Sequence, residues 1–133
     1  MPDQDMRKRS RVDLKISVSI LQNHVQQLLK TINLSLKGLL AEYHPDFALN
    51  EPCDLVLHLS SGLEIGIRGV VVSSTPNRGT AVDFVEMDEE SFYHLLNLIR
   101  LYSPDPDQVE RELLIPAFDS SYLEKLKNSY SRK

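Results

Sequence analysis

The chain has 133 residues, of which 41% are hydrophobic and 26% charged, and its formal net charge is −4. This length and composition predict a single small globular domain rather than a disordered chain. The acidic balance disfavours non-specific binding to nucleic acid or to an anionic membrane, so any anion site must be local.

The first part of the sequence predicts a basic arm followed by three strands. Residues 1–11 are polar and basic and are expected to form a flexible arm. Apolar and polar residues then alternate over residues 12–20, the period of two that is typical of a half-buried strand. After a turn at 22–24, two more strands are predicted at residues 25–32 and 39–43, separated by a turn at 33–38.

Three further strands are predicted at residues 53–59, 63–73 and 80–85, with turns between them. Gly66 and Gly69 lie inside the fifth strand, where glycine indicates a bulge or a barrel corner. Six short strands joined by turns favour a closed or nearly closed barrel, which leaves no exposed sheet edge. The fold class predicted is therefore mainly β.

The pattern changes to helical after the sixth strand. Asp88 is predicted to cap a helix that covers an open mouth or edge of the barrel, and Ser103 and Pro104 end it. A second helix after Pro106 and a weaker amphipathic piece at 123–130 complete the chain. The apolar residues that define the two helices are Phe92, Leu95, Leu96 and Ile99, and then Val109, Leu113 and Leu114. The predicted organisation is thus an arm (1–11), a barrel with its helix (12–102) and a helical extension (103–133).

The arm contains the run Arg7-Lys8-Arg9-Ser10-Arg11. Alternate residues of an extended segment share a face, so Arg7, Arg9 and Arg11 can point the same way. Guanidinium groups form paired hydrogen bonds with phosphate oxygens and with the O6/N7 edge of guanine. The arm is therefore a candidate to wrap a small anionic ligand that carries guanine, although a solvated basic tail has the same composition.

The turn at 33–38 reads Asn33-Leu34-Ser35-Leu36-Lys37-Gly38. Asn33 can accept from a guanine N–H and Ser35 can donate or accept, while Lys37 adds positive charge. Gly38 is expected to supply the positive φ of a tight turn. The alternative is a turn chosen only for its backbone geometry. Because adjacent antiparallel strands bring the start of the first beside the end of the second, we expect the arm and this turn to meet.

Over residues 6–102 the sequence resembles the PilZ domain family. The pair Arg7-x-x-x-Arg11 precedes the first strand, Asn33-x-Ser35-x-x-Gly38 follows the second, and Gly79-Thr80-Ala81-Val82-Asp83-Phe84 resembles the family's last strand. The resemblance implies a six-stranded split β-barrel followed by C-terminal α-helices, which binds the bacterial second messenger cyclic di-GMP.

The resemblance also implies the site. Arg7 and Arg11 would take phosphates and guanine edges, Asn33 and Ser35 would contact a guanine, and Gly38 would complete the motif. The weaker candidates are Lys8, Arg9, Lys37 and Arg78. Because Asn33 lacks the charge of the more common aspartate, lower affinity is expected. Whether one or two ligand molecules bind stays open.

Several other chemistries are disfavoured. The single cysteine, Cys53, excludes an internal disulfide and a cysteine-cluster zinc site, and the histidines show no metal-ligand spacing. The sequence has neither a phosphate-binding P-loop nor a serine-nucleophile elbow, so we expect no enzyme, no metal and no cofactor. The polar start and the lack of a long apolar run predict a cytoplasmic protein without membrane insertion, and the resemblance implies that it is bacterial.

Three functions are compared. The leading hypothesis is a cyclic di-GMP receptor whose arm becomes ordered on the ligand and which signals to an unidentified protein partner that controls motility, adhesion, exopolysaccharide or virulence. The alternative is a PilZ-like interaction adaptor that does not bind nucleotide. A nucleic-acid binder is disfavoured by the acidic remainder of the chain. The oligomeric state is left open.

Overall fold

The computed structural model describes residues 11–105 and residue 107. These residues form six strands and a helix, and every pair of neighbouring strands is antiparallel. The strand order β1-β2-β3-β6-β5-β4 closes on itself, which confirms the predicted six-stranded barrel. The elements are β1 (Ser17–Gln22), β2 (Val25–Leu34), β3 (Gly38–Ala41), β4 (Pro52–His58), β5 (Glu64–Thr75), β6 (Gly79–Glu86) and α1 (Glu89–Tyr102).

The barrel interior is filled by alternate residues of every strand. Because successive side chains of a strand point to opposite faces, the alternating sequence pattern places one apolar set inside and one polar set outside. The strands contribute fully buried aliphatic side chains to this core. They include Val18, Ile20, Leu34, Leu55, Leu57, Ile65, Val71 and Val82.

The two ends of the barrel are different. The end where β2 stops and β3 begins, residues 33–38 together with residues 11–12, is called the rim below. The far end carries the turns that join β1 to β2 and β5 to β6, and the loop 42–51. Buried Gln22 anchors this loop, since its amide accepts from Ala48 N at 2.7 Å and donates to Ala48 O at 2.9 Å.

A β-bulge lies near the end of β2. Thr31 pairs with Ala41 of β3, but Asn33 pairs with Leu40, so β2 carries one extra residue, Ile32, in that interval. Strict alternation after buried Thr31 would turn Asn33 into the core. The extra residue reverses this, so that Asn33 is half-buried and Leu34 is buried.

A second offset, in the segment before β1, interrupts the predicted first strand. Ser17 pairs with Lys30, but Val12 pairs with Leu34, so this segment is one residue longer than the part of β2 that it faces. Val12 therefore forms only an isolated bridge, and β1 begins at Ser17 rather than at residue 12.

The segment between Val12 and β1 is held by a buried side chain. Thr31 is inaccessible to solvent, and its Oγ1 accepts from Ile16 N at 3.0 Å and donates to Leu14 O. The hydroxyl thus satisfies two backbone groups that the interrupted ladder would leave without partners.

The helix follows its predicted bounds. The Asp88 carboxylate accepts from Ser91 N at 2.7 Å, as a cap should, and Leu95 and Ile99 are buried. The helix packs against β5; because the barrel is closed, it leaves no sheet edge to cover. The second helix and the piece at 123–130 lie outside the described residues, as do residues 1–10. Within the described residues no helix is long and apolar enough to cross a membrane.

Replacing Thr31 by valine should destabilise the protein by about 2 kcal/mol. The change keeps the shape of the side chain but leaves the Ile16 N–H and the Leu14 carbonyl without their partner in a buried place. The free energy of unfolding in urea measures it. Thr75→Val, at an exposed position near the far end, is the matched control and should change stability by less than about 0.5 kcal/mol. Equal effects of both substitutions would contradict the role given to Thr31.

Candidate functional site

The rim brings the end of the predicted arm onto the end of β2. Val12 N donates to Leu34 O at 2.8 Å, and Leu34 N donates to Val12 O at 3.0 Å. Next to this bridge, Arg11 Nη1 donates to Asn33 Oδ1 at 3.1 Å. The expectation that arm and turn meet in space is therefore confirmed at Arg11 and Asn33.

The polar groups of this pair are only partly used. Arg11 is exposed and Asn33 is half-buried. Within the part of the chain that the structure describes, neither side chain makes another hydrogen bond. The remaining guanidinium N–H groups and the amide N–H₂ are donors that can reach phosphate or carbonyl oxygens of a ligand.

The bend from β2 to β3 is rigid for reasons visible in its sequence. Leu34 and Leu36 are buried and fix the bend onto the core. Between them, the Ser35 hydroxyl accepts from Lys37 N and from Gly38 N, each at 3.2 Å, and donates to Gly38 O at 3.2 Å. The side chain of Ser35 is only 1% exposed, so its hydroxyl stabilises the bend itself.

Gly38 is required for a reason other than the one expected. Its φ is not positive, so the expected left-handed conformation is wrong. Instead, a Cβ at this position would lie 2.5 Å from the Val82 carbonyl oxygen of β6. Glycine therefore allows β3 to approach β6 closely.

Two weaker candidates, Lys37 and Arg78, lie at opposite ends of the barrel. Lys37 is exposed on the bend, and its carbonyl accepts from Phe84 N at 2.7 Å, which holds the residue at the rim. Arg78 lies in the turn between β5 and β6 at the far end and is not brought to the rim. Arg7, Lys8 and Arg9 lie outside the described residues.

The remaining reactive side chains do not form a metal or thiol site. In the described ranges, no three histidine, cysteine or carboxylate side chains are grouped to hold a metal ion. Burial raises the pKa of the Cys53 thiol to about 11, and the neighbouring Asp54 carboxylate adds to the rise. The thiol is therefore protonated near neutral pH and is a poor nucleophile. On the outer face, His58 links Ser19 at 2.8 Å and Glu64 at 3.2 Å, joining three adjacent strands.

Sequence reasoning missed Thr31, which holds the approach to the rim. The only signal in the sequence was the uneven alternation of this strand; the structure shows that Leu29 and Thr31 are buried two apart but that the next buried position is Leu34. That step of three breaks the period of two and indicates a bulge.

The sequence matches a known family model over most of its length. The sequence model of the PilZ domain matches residues 5–101. The chain belongs to the PilZ domain family. PilZ domains are non-catalytic nucleotide-binding receptor domains, so the expectation that the chain is not an enzyme is confirmed. A comparison with curated proteins found no match.

Solved PilZ structures share the fold. The Bacillus subtilis inhibitor of motility (MotI/DgrA) is 20% identical, with a TM-score of 0.59 over 69% of this chain and 48% of that one. The PilZ domain of CeSA from a cellulose-synthesizing bacterium is 15% identical, with a TM-score of 0.54 over 67% of this chain and 93% of that one. This chain thus spans about half the length of the motility inhibitor, and at these identities the likeness concerns the fold alone.

Replacing Ser35 by alanine should lower the free energy of unfolding by about 1–2 kcal/mol even without ligand, because two backbone N–H groups of the buried bend lose their acceptor. Chemical denaturation of the ligand-free protein measures this. Ser60→Ala, in an exposed turn, should change stability by less than about 0.5 kcal/mol. A Ser35→Ala protein as stable as the parent would show that the hydroxyl does not support the bend.

Proposed function

We propose that this chain is a receptor for cyclic di-GMP and that the rim binds the ligand. The observation that carries the proposal is the 3.1 Å hydrogen bond between Arg11 and Asn33, because it joins the family's two motifs at one point of the surface. The PilZ family binds cyclic di-GMP, and both motifs are present in full in this sequence.

The ligand set proposed is Arg7, Arg11, Asn33, Ser35 and Gly38. Arg11 pairs with a phosphate or with the O6/N7 edge of a guanine, and Arg7 supplies a second guanidinium from the arm. The Asn33 amide contacts the edge of a guanine. Ser35 acts mainly by holding the bend in shape, and Gly38 lets β3 lie close to β6 beneath the ligand.

The positive charge around the rim favours binding of the ligand's phosphates, although the net charge of the chain is −4. The arm has four cations within five residues, Arg7, Lys8, Arg9 and Arg11, and Lys37 adds another at the rim. Two phosphates neutralise guanidinium groups that otherwise repel one another, so binding orders the arm against the barrel. Slower tryptic cleavage within residues 7–11 in the presence of ligand would accompany this ordering.

The output proposed is a signal to a protein partner in the bacterial cytoplasm. The structural relatives include a motility inhibitor and a domain from a cellulose-synthesizing bacterium. Motility, adhesion, exopolysaccharide and virulence are the outputs considered, and each requires that the ordered arm present a new surface to another protein.

Isothermal titration calorimetry with cyclic di-GMP tests the site. Arg11→Ala should weaken binding at least tenfold, because charge-assisted hydrogen bonds contribute about 1.5–3 kcal/mol. Arg78→Ala removes the same charge at the far end and should leave the affinity within about twofold.

Equal affinities of the parent and Arg11→Ala would remove Arg11 from the site. If the parent chain itself shows no heat at high micromolar ligand, the receptor proposal fails and the nucleotide-independent adaptor replaces it.

A further inference from the structure

A carboxylate lies next to Gly38 on the outer face of the barrel. Asp83 of β6 pairs with Gly38 in the antiparallel register, and its side chain is exposed. Its Oδ1 is 3.4 Å from the position that a Cβ of Gly38 would take. The carboxylate therefore lies against Gly38, which is itself buried.

Asp83 and Asn33 lie on opposite sides of β3 on the outer face of the barrel. Asn33 pairs with Leu40 of β3, two residues beyond Gly38, and Asp83 lies on the next strand. Neighbouring strands are about 4.8 Å apart, so the two polar residues are separated by roughly 10–12 Å across β3. A planar base lying on the outer face of β3 would have a polar group at each side.

The Asp83 carboxylate makes no hydrogen bond or ion pair with any residue between 11 and 105. Elsewhere on the outer face, the Asp54 carboxylate is engaged with Arg68 at 3.0 Å and the Glu64 carboxylate with His58 at 3.2 Å. Asp83 is thus available as an acceptor, and a carboxylate accepts but cannot donate.

From this arrangement we propose that Asp83 is a specificity-determining residue, which accepts hydrogen bonds from N1–H and the 2-amino group of a guanine lying on the outer face of β3. The inference rests on the proposed function and adds to it the reason for choosing guanine. Guanine presents two adjacent donors on this edge, as a carboxylate requires. Adenine has an acceptor at N1 and lacks the 2-amino group, so it would face the carboxylate without a donor.

A purely electrostatic role of Asp83 would act in the opposite direction. A carboxylate near a doubly anionic ligand repels its phosphates, so its removal would tighten the binding of every cyclic dinucleotide by a similar factor. Base recognition instead predicts a loss for guanine and little change for bases without the donor pair. Selectivity therefore distinguishes the two roles, where affinity for one ligand would not.

The experiment is calorimetry of the parent, Asp83→Ala and Asp83→Asn with cyclic di-GMP, cyclic di-IMP and cyclic di-AMP. Cyclic di-IMP differs from cyclic di-GMP only by lacking the 2-amino groups. The parent should prefer cyclic di-GMP over cyclic di-IMP by about tenfold, and Asp83→Ala should reduce this preference to less than about threefold. Asp83→Asn keeps the shape of the side chain and one acceptor, so its preference for cyclic di-GMP should lie between those of the parent and of Asp83→Ala.

Asp46→Asn removes an exposed carboxylate from the far-end loop and should leave both affinity and preference unchanged. Thermal unfolding of each variant checks that the fold is kept. An unchanged preference in Asp83→Ala, or uniformly tighter binding of all ligands, would overturn the role of Asp83 while the receptor function stands. A parent chain that binds none of the three ligands would overturn the receptor function itself.

Discussion

The extra residue in β2 between Thr31 and Asn33 is the constraint on which the rest of the rim depends. It reverses the alternation of side chains, so that Asn33 faces outward while Leu34 stays in the core. The preceding segment is offset from β2 as well, because it is one residue longer than β2 between the Val12–Leu34 bridge and the Ser17–Lys30 pair. The two offsets together place Arg11 beside Asn33. Without the bulge, the two halves of the recognition motif would point to opposite faces of the sheet.

The rim consists of a bend whose conformation is fixed by its own contacts and of the end of the basic arm. The bend is held by Leu34 and Leu36 in the core and by the Ser35 hydroxyl within the turn. Most of the positive charge, in contrast, belongs to the arm that leads into Val12. In the proposed receptor, the rigid bend would keep the entropic cost of binding low where the base is recognised, and the arm would supply the charge that responds to the ligand. Recognition and signalling would then belong to neighbouring but different segments.

Much of the fold was predictable from the sequence, because its strands and its helix follow local patterns of apolar and polar residues. Local patterns located all six strands, although β1 begins at Ser17 rather than at residue 12, and the Asp88 cap with its helical spacing located α1. The juxtaposition of arm and turn followed from antiparallel pairing alone. Features that depend on register were not predictable in the same way. The need for glycine at position 38 arises from β6, which is more than forty residues away in the sequence.

Dependence on strand register also explains why some residues were misplaced or overlooked in the sequence analysis. The turn residue Arg78 was a candidate because of its charge, but the direction of β6 carries it to the far end. Asp83 looked like an ordinary residue of an outward strand face until pairing with Gly38 gave it a defined neighbour. Thr31 looked like one more polar residue in a strand, and only the interrupted ladder shows what its hydroxyl bonds. Each case depends on a contact between segments distant in sequence.

The most direct test of the central claim is a two-dimensional ¹H–¹⁵N correlation spectrum of the protein titrated with cyclic di-GMP. The account predicts that the backbone amide shifts that change are concentrated at the rim, at Arg11 and at residues 33–38, whereas the loop 42–51 and the turn 76–78 at the far end do not respond. Shifts centred on the far end, or no shifts at saturating ligand, would contradict a nucleotide site built where the arm meets the bend.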